Sequence, residues 1–123
     1  MTASSVSFPA AVLMAIIGMG WGIAMAITHD HSTMPAHAHL NLLGWVSLFL
    51  IGVFYRMHPA VDRSRFAMAQ VWVWICATAA MVVGIALIYS GSGLGEPIAA
   101  VSSLVLFADI LLFGWLVVRS RSG

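Results

Sequence analysis

The chain has 123 residues, room for one domain, of which 62% are hydrophobic and 7% charged, with no lysine and a formal charge of +1. A soluble globule this short must clothe its surface in polar groups, and a disordered chain needs low hydrophobicity with high charge, so both classes are excluded. Five arginines near segment ends form no basic face for nucleic acid, and the single cysteine, Cys76, leaves no disulfide framework or multi-cysteine metal site, so membrane lipid is the implied solvent.

Apolar runs of about 20 residues, the length a helix needs to cross ~30 Å of hydrocarbon, occur at 8–28, 36–55, 66–89 and 98–118. The expected fold is therefore all-α: an integral membrane four-helix bundle forming one domain over 1–123. In the first span Ala24-Met25-Ala26 has the look of a signal-peptide cleavage site. However, no Lys or Arg precedes the run and it is long enough to span, so a retained helix is expected. Gly18 and Gly22, at GxxxG spacing with Gly20 between, allow close approach of another helix, and packing within the four-helix unit is their plainer use. The connections are 29–35, 56–65 and 90–97. Pro35 and Pro97 suit the first turn of a following helix, and the serines and glycines from Ser90 to Gly95 end the third. Cys76 reads as a small buried apolar residue, and Arg56 and His58 as anchors after the second span.

Orientation follows from arginine. Arg56, Arg63 and Arg65 fall in the second connection and Arg119 and Arg121 in the tail. By the positive-inside rule the N-terminus, the C-terminus and the second connection are cytoplasmic, and 29–39 lies on the outer side. The expected location is a bacterial inner (cytoplasmic) membrane, crossed several times.

Four of the five histidines lie in His29-Asp30-His31-Ser32-Thr33-Met34-Pro35-Ala36-His37-Ala38-His39. Neutral imidazole is a common ligand for haem iron, copper and zinc. His37 and His39 are the pair expected inside a helix, where two residues mean about 200° of rotation, so their rings point to nearly opposite sides. His37 shares a face with Asn41 and Gly44, suited to the bundle interior, and His39 looks out with Leu43 and Val46. A polar ring facing lipid needs a partner, so His39 points to a cofactor or an oligomer; the bland alternative is that both rings sit at headgroup depth in contact with water.

The stretch His37-Ala38-His39-Leu40-Asn41-Leu42-Leu43-Gly44-Trp45 resembles the histidine-bearing helices of the haem–copper oxidase subunit I superfamily and its smaller relatives, including nitric-oxide-response membrane proteins. Subunit I of that superfamily is built from three four-helix arcs around a pseudo-threefold axis. A His-x-His pair near the outer end of one helix ligates two haems, one from each side. The resemblance implies that this chain matches one arc, that His37 and His39 ligate haem b, and that three copies, or less simply two, enclose it. Asn41, on the His37 face, and Trp45, one turn and a half below His39, are further candidate cofactor contacts by their position alone, although anchoring or core packing is the plainer use of the Trp45 ring. The sequence has no His-x-x-x-Tyr pair and no adjacent His-His pair, so the resemblance does not extend to an oxygen-reducing binuclear centre.

Three further features stand apart from that motif. His29, His31 and Met34, with Met25 nearby, make a histidine and thioether set soft enough for copper, although a solvated loop imposes no geometry on it. Asp109 falls near the middle of the fourth span, where a charge costs about 2.5–3.5 kcal/mol, and is expected to face the bundle or an oligomer axis. At ~1.5 Å per residue it lies about 16 Å deep against about 5 Å for His39, which makes Ser47 and Thr78 the better-placed partners. Trp72, Trp74, Trp115, Tyr55 and Tyr89 fall near span ends, where amphipathic rings anchor at the interface.

The functional expectation is a haem b protein for electron transfer or diatomic-gas binding, working with a redox partner and forming a homo-oligomer. The alternatives are a copper-binding or assembly component at the outer face and a purely structural subunit. No nucleophile, oxyanion hole or phosphate loop is visible, so enzymatic activity is left open.

Overall fold

The computed structural model describes residues 1–120, and within them every regular element is helical. Arg121, one of the five arginines behind the expected orientation, lies outside the described residues. Four helices are long and apolar enough to cross a membrane: Ala3–Thr28, Met34–Met57, Arg65–Tyr89 and Gly95–Ser120. Each runs up to five residues beyond the expected span, and in the first and third a capping side chain, Thr2 or Ser64, sets where the helix starts.

Helix α1 (Ala3–Thr28) shows this most clearly. Thr2 and Ser5 form a reciprocal capping box, with Thr2 N–H donating to Ser5 Oγ at 3.0 Å and Ser5 N–H to Thr2 Oγ1 at 3.3 Å. Ser4 donates its N–H and its hydroxyl to the two oxygens of Asp62, at 2.7 and 2.6 Å. A buried carboxylate thereby satisfies an orphan donor of the first turn, where negative charge is also favoured by the helix dipole. Pro9 is carried inside the helix.

The second span is one continuous run of three pieces: α2 (Met34–His39) with Pro35 in its first turn, a π-helical stretch (Leu40–Ser47), and α3 (Leu48–Met57). Composition gave no sign of the π stretch. Trp74 Nε1–H of the third span donates into it, to the Leu43 carbonyl at 2.9 Å, and the Ser7 hydroxyl of α1 donates to the Leu48 carbonyl at 2.6 Å, just past its end at the start of α3. A one-turn helix α4 (Pro59–Asp62) leads to α5 (Arg65–Tyr89), whose N-cap Ser64 accepts from Ala67 N–H at 3.1 Å. After a loop at 90–94, α6 (Gly95–Ser120) completes the fold.

Helices α5 and α6 form the most extensive pair, and α1 packs along the π stretch and α3. The α5–α6 approach depends on Gly84, where a Cβ would meet the Ala99 backbone nitrogen at 2.7 Å. The first and last helices, α1 and α6, do not pack along one another, while α1 does touch α5. The second span and α5 therefore lie at the centre, flanked by α1 and by α6, whose Phe113 also meets Phe54 and Tyr55 of α3. The core accordingly centres on Leu48, Ile51 and Tyr55 against Val71, Trp74 and Ala77.

Two aromatic assignments need correction. Tyr55 is fully buried and Trp74 nearly so, and both spend their polar atoms on internal hydrogen bonds instead of anchoring at an interface. Trp72, Trp115 and Tyr89 are exposed near the ends of their helices. Cys76, expected to be buried, is exposed on the outer face of α5.

Candidate functional site

The glycines of α1 receive the polar residues of the second span. The half-buried His37 ring lies over Gly22, where an added Cβ would stand 3.1 Å from Cε1, and the Asn41 side chain occupies the space over Gly18. Asn41 Nδ2 lies 3.2 Å from His37 Nε2 and 3.4 Å from Nδ1, so the amide donates to the ring on the helix face the two residues share. The GxxxG spacing thus serves packing inside the unit, and Gly20 between the two faces open space. Gly44, one turn on, is packed against Met14.

His39 stands on the other side. It is exposed, and its Nδ1 lies 2.7 Å from the Pro35 carbonyl oxygen, one turn earlier in α2. A carbonyl only accepts, so Nδ1 carries the proton, and in the neutral ring Nε2 keeps its lone pair. Among the described residues nothing in the chain hydrogen-bonds that Nε2. Exposed Val46 and Leu42 continue this outer surface. Trp45 is half-buried against the core, its ring centroid 5.1 Å from that of Phe49.

The loop between α1 and α2 carries the remaining histidines of the cluster. His29 ends α1 in the left-handed region at φ 57°, and His31 is exposed. Asp30 accepts from Ser32 N–H at 3.0 Å, and this backbone hydrogen bond holds its carboxyl below the usual carboxylate range. Met25 is buried and takes the Thr33 hydroxyl at 3.9 Å, while Met34 is exposed, so the two thioethers are not presented together. Among the described residues no group of three or more His, Cys, Asp or Glu is placed to hold a metal ion.

A second polar constellation lies deeper. Asp109, 4% exposed, accepts from Gln70 Nε2 at 2.8 Å, and Gln70 Oε1 in turn accepts from the Tyr55 hydroxyl at 2.6 Å. The chain of three links α3, α5 and α6. Asp109 is thus turned inward, as expected, but its partner is neither Ser47 nor Thr78. Thr78 is instead buried with its hydroxyl unpaired. Counted from Gly95, Asp109 lies about 21 Å along its helix, against about 8 Å for His39 from Met34, so the two constellations are separate.

Comparison with known protein families, with curated proteins and with solved structures finds no match to the chain. The site must therefore be judged on its own donors. For a haem iron His39 fits: one ring nitrogen is fixed by a backbone carbonyl, which sets the tautomer and orientation of a ligating histidine, and the other is exposed. His37 is placed differently, its ring in the α1 seam over Gly22 with the Asn41 amide nitrogen 3.2 Å from Nε2 and 3.4 Å from Nδ1.

Proposed function

We propose that this membrane protein binds haem b at its histidine-bearing end through His39 and serves electron transfer or the binding of a diatomic gas. The observation that carries this reading is the His39 ring, fixed at Nδ1 by the Pro35 carbonyl and offering Nε2 on an apolar surface. A polar ring in that setting needs a partner, and metal ligation supplies one. When bound, haem iron offers a one-electron couple or, if one axial position is open, a site for a gas. His37 and Asn41 would hold the helix that bears His39 against α1, and Trp45 would stiffen its inner side.

By the positive-inside rule the arginine-bearing end faces the cytoplasm and the histidine end the outer side of a bacterial inner membrane. Because His39 is on the outside of a single chain, the enclosure of a porphyrin falls to neighbouring copies, with a trimer preferred and a dimer the competing state. The copper-binding alternative, at His29, His31 and Met34, has no comparable support, since no hydrogen bond fixes those side chains as one fixes His39.

Absorption spectra of the protein purified in detergent after expression with haem supply test the reading. A Soret band that shifts on reduction is expected in the wild type, with loss of the band in His39→Ala and its retention in His37→Ala. No Soret band in the wild type defeats haem binding, and loss in His37→Ala alone moves the ligand to the other ring.

A further inference from the structure

The imidazole arrangement found at His39 occurs a second time, at the other end of the same span. His58 closes α3, and its Nδ1 lies 2.8 Å from the Phe54 carbonyl oxygen, one turn earlier. A carbonyl only accepts, so Nδ1 carries the proton, and in the neutral ring Nε2 is left with its lone pair. One face of the ring is stacked on Phe54, with centroids 4.2 Å apart and planes 25° from parallel. Hydrogen bond and stack together fix the ring, and among the described residues nothing in the chain hydrogen-bonds Nε2.

The half-buried ring forms part of the wall of a cleft of about 660 Å³, between the α3–α4 turn and the ends of α5 and α6. That volume is within the range of small-molecule sites. Phe54, which covers one face of the ring, is not among the described lining residues, so the ring presents to the cleft its uncovered side and its Nε2 edge. Met57, Phe66 and Leu116 supply apolar wall. The cleft lies where the apolar spans end, so an amphipathic molecule dissolved in the membrane can reach it.

A lone pair selects for a donor. A cationic donor is disfavoured by the Arg65 guanidinium, which lines the same cleft and lies over the Phe66 ring at 5.4 Å. A hydroxyl group offers a hydrogen without a charge, and an apolar body behind it matches the walls.

We propose that this cleft binds an apolar molecule through a hydroxyl group, that of an alcohol or a phenol, whose O–H donates to His58 Nε2 while the apolar body lies against Phe66 and Leu116. The site stands on His58 and is independent of the haem reading at His39.

The test is nitrogen NMR of the full-length protein in detergent, carrying isotope-labelled histidine and titrated with decanol, with naphthol and with the methyl ether of each. The ethers keep the apolar body and remove the donor. The Nε2 signal that His58→Gln removes is expected to shift saturably with at least one hydroxyl compound. That compound should bind about three- to tenfold tighter than its ether, the scale of one net hydrogen bond. A response to decanol alone assigns an aliphatic alcohol, to naphthol alone a phenol, and to both the hydroxyl class as a whole. His58→Leu removes the acceptor and should bind compound and ether equally, read by native mass spectrometry. If that variant fails to fold, judged by helical circular dichroism, the wild-type shift still decides. No saturable shift with either compound, equal affinity for each compound and its ether, or a folded His58→Leu that keeps the preference overturns the proposal.

Discussion

Gln70 illustrates how one side chain holds three helices. Its amide serves both the Tyr55 hydroxyl and the Asp109 carboxylate, in surroundings where water cannot replace either. Gln70→Leu leaves two buried polar groups unpaired, whereas Tyr55→Phe leaves one, the Gln70 Oε1 acceptor, and each such group costs about 1–3 kcal/mol. Thermal unfolding in detergent should rank Gln70→Leu well below Tyr55→Phe; equal midpoints would show that the network contributes little. Asp109 could be singled out in the sequence because an acid in mid-span is conspicuous. Gln70 could not, since a glutamine one turn and a half into a span is compatible with the headgroup region, and only the packing of α5 against α6 puts it beside Asp109. Tyr55 was hidden likewise by its place near a span end. Similar reasoning applies to Gly18: a larger side chain there must displace Asn41, so Gly18→Val is expected to cost about 1–3 kcal/mol by overpacking, read in the same melts.

Among the elements, the second span departs most from what periodicity suggested. The four spans and their order were legible, as apolar length alone fixes them, but a π stretch depends on contacts made from other helices. The opposed placing of His37 and His39 survives it because both lie in the α-helical piece before Leu40. Trp74→Phe keeps the ring and removes the donor to the Leu43 carbonyl. Hydrogen exchange in the π stretch should then quicken while α1 and α6 keep their protection; unchanged exchange at 40–48 would mean that the stretch is maintained without Trp74. Topology is also a property of elements. With Cys76 first replaced by alanine, since its thiol is exposed, a cysteine at Ser92 should be labelled by an impermeant reagent from outside and one at Ser64 should not. External labelling at Ser64 would reverse the orientation.

For the whole molecule the decisive feature is how little of the two flanking helices, α1 and α6, is buried. A closed bundle buries one stripe of every helix, whereas here about a fifth of the apolar window of α1 and of α6 is buried, 22% in each. Exposed Ile16, Ile23 and Ile27 on α1, and Leu104, Phe107 and Leu111 on α6, face lipid or another chain. Nothing in the sequence announced this exposure, because a membrane helix is apolar all round whether it meets lipid or protein. His39 itself is exposed on the single chain, which is why the proposed haem site is shared between copies related by closed symmetry. Native mass spectrometry of the protein released from detergent, with haem mass assigned to each oligomer, tests the shared site most directly. Haem is expected on a trimer, or on a dimer if two chains suffice, and to be lost when the oligomer is dissociated; a monomer that keeps its haem would contradict it.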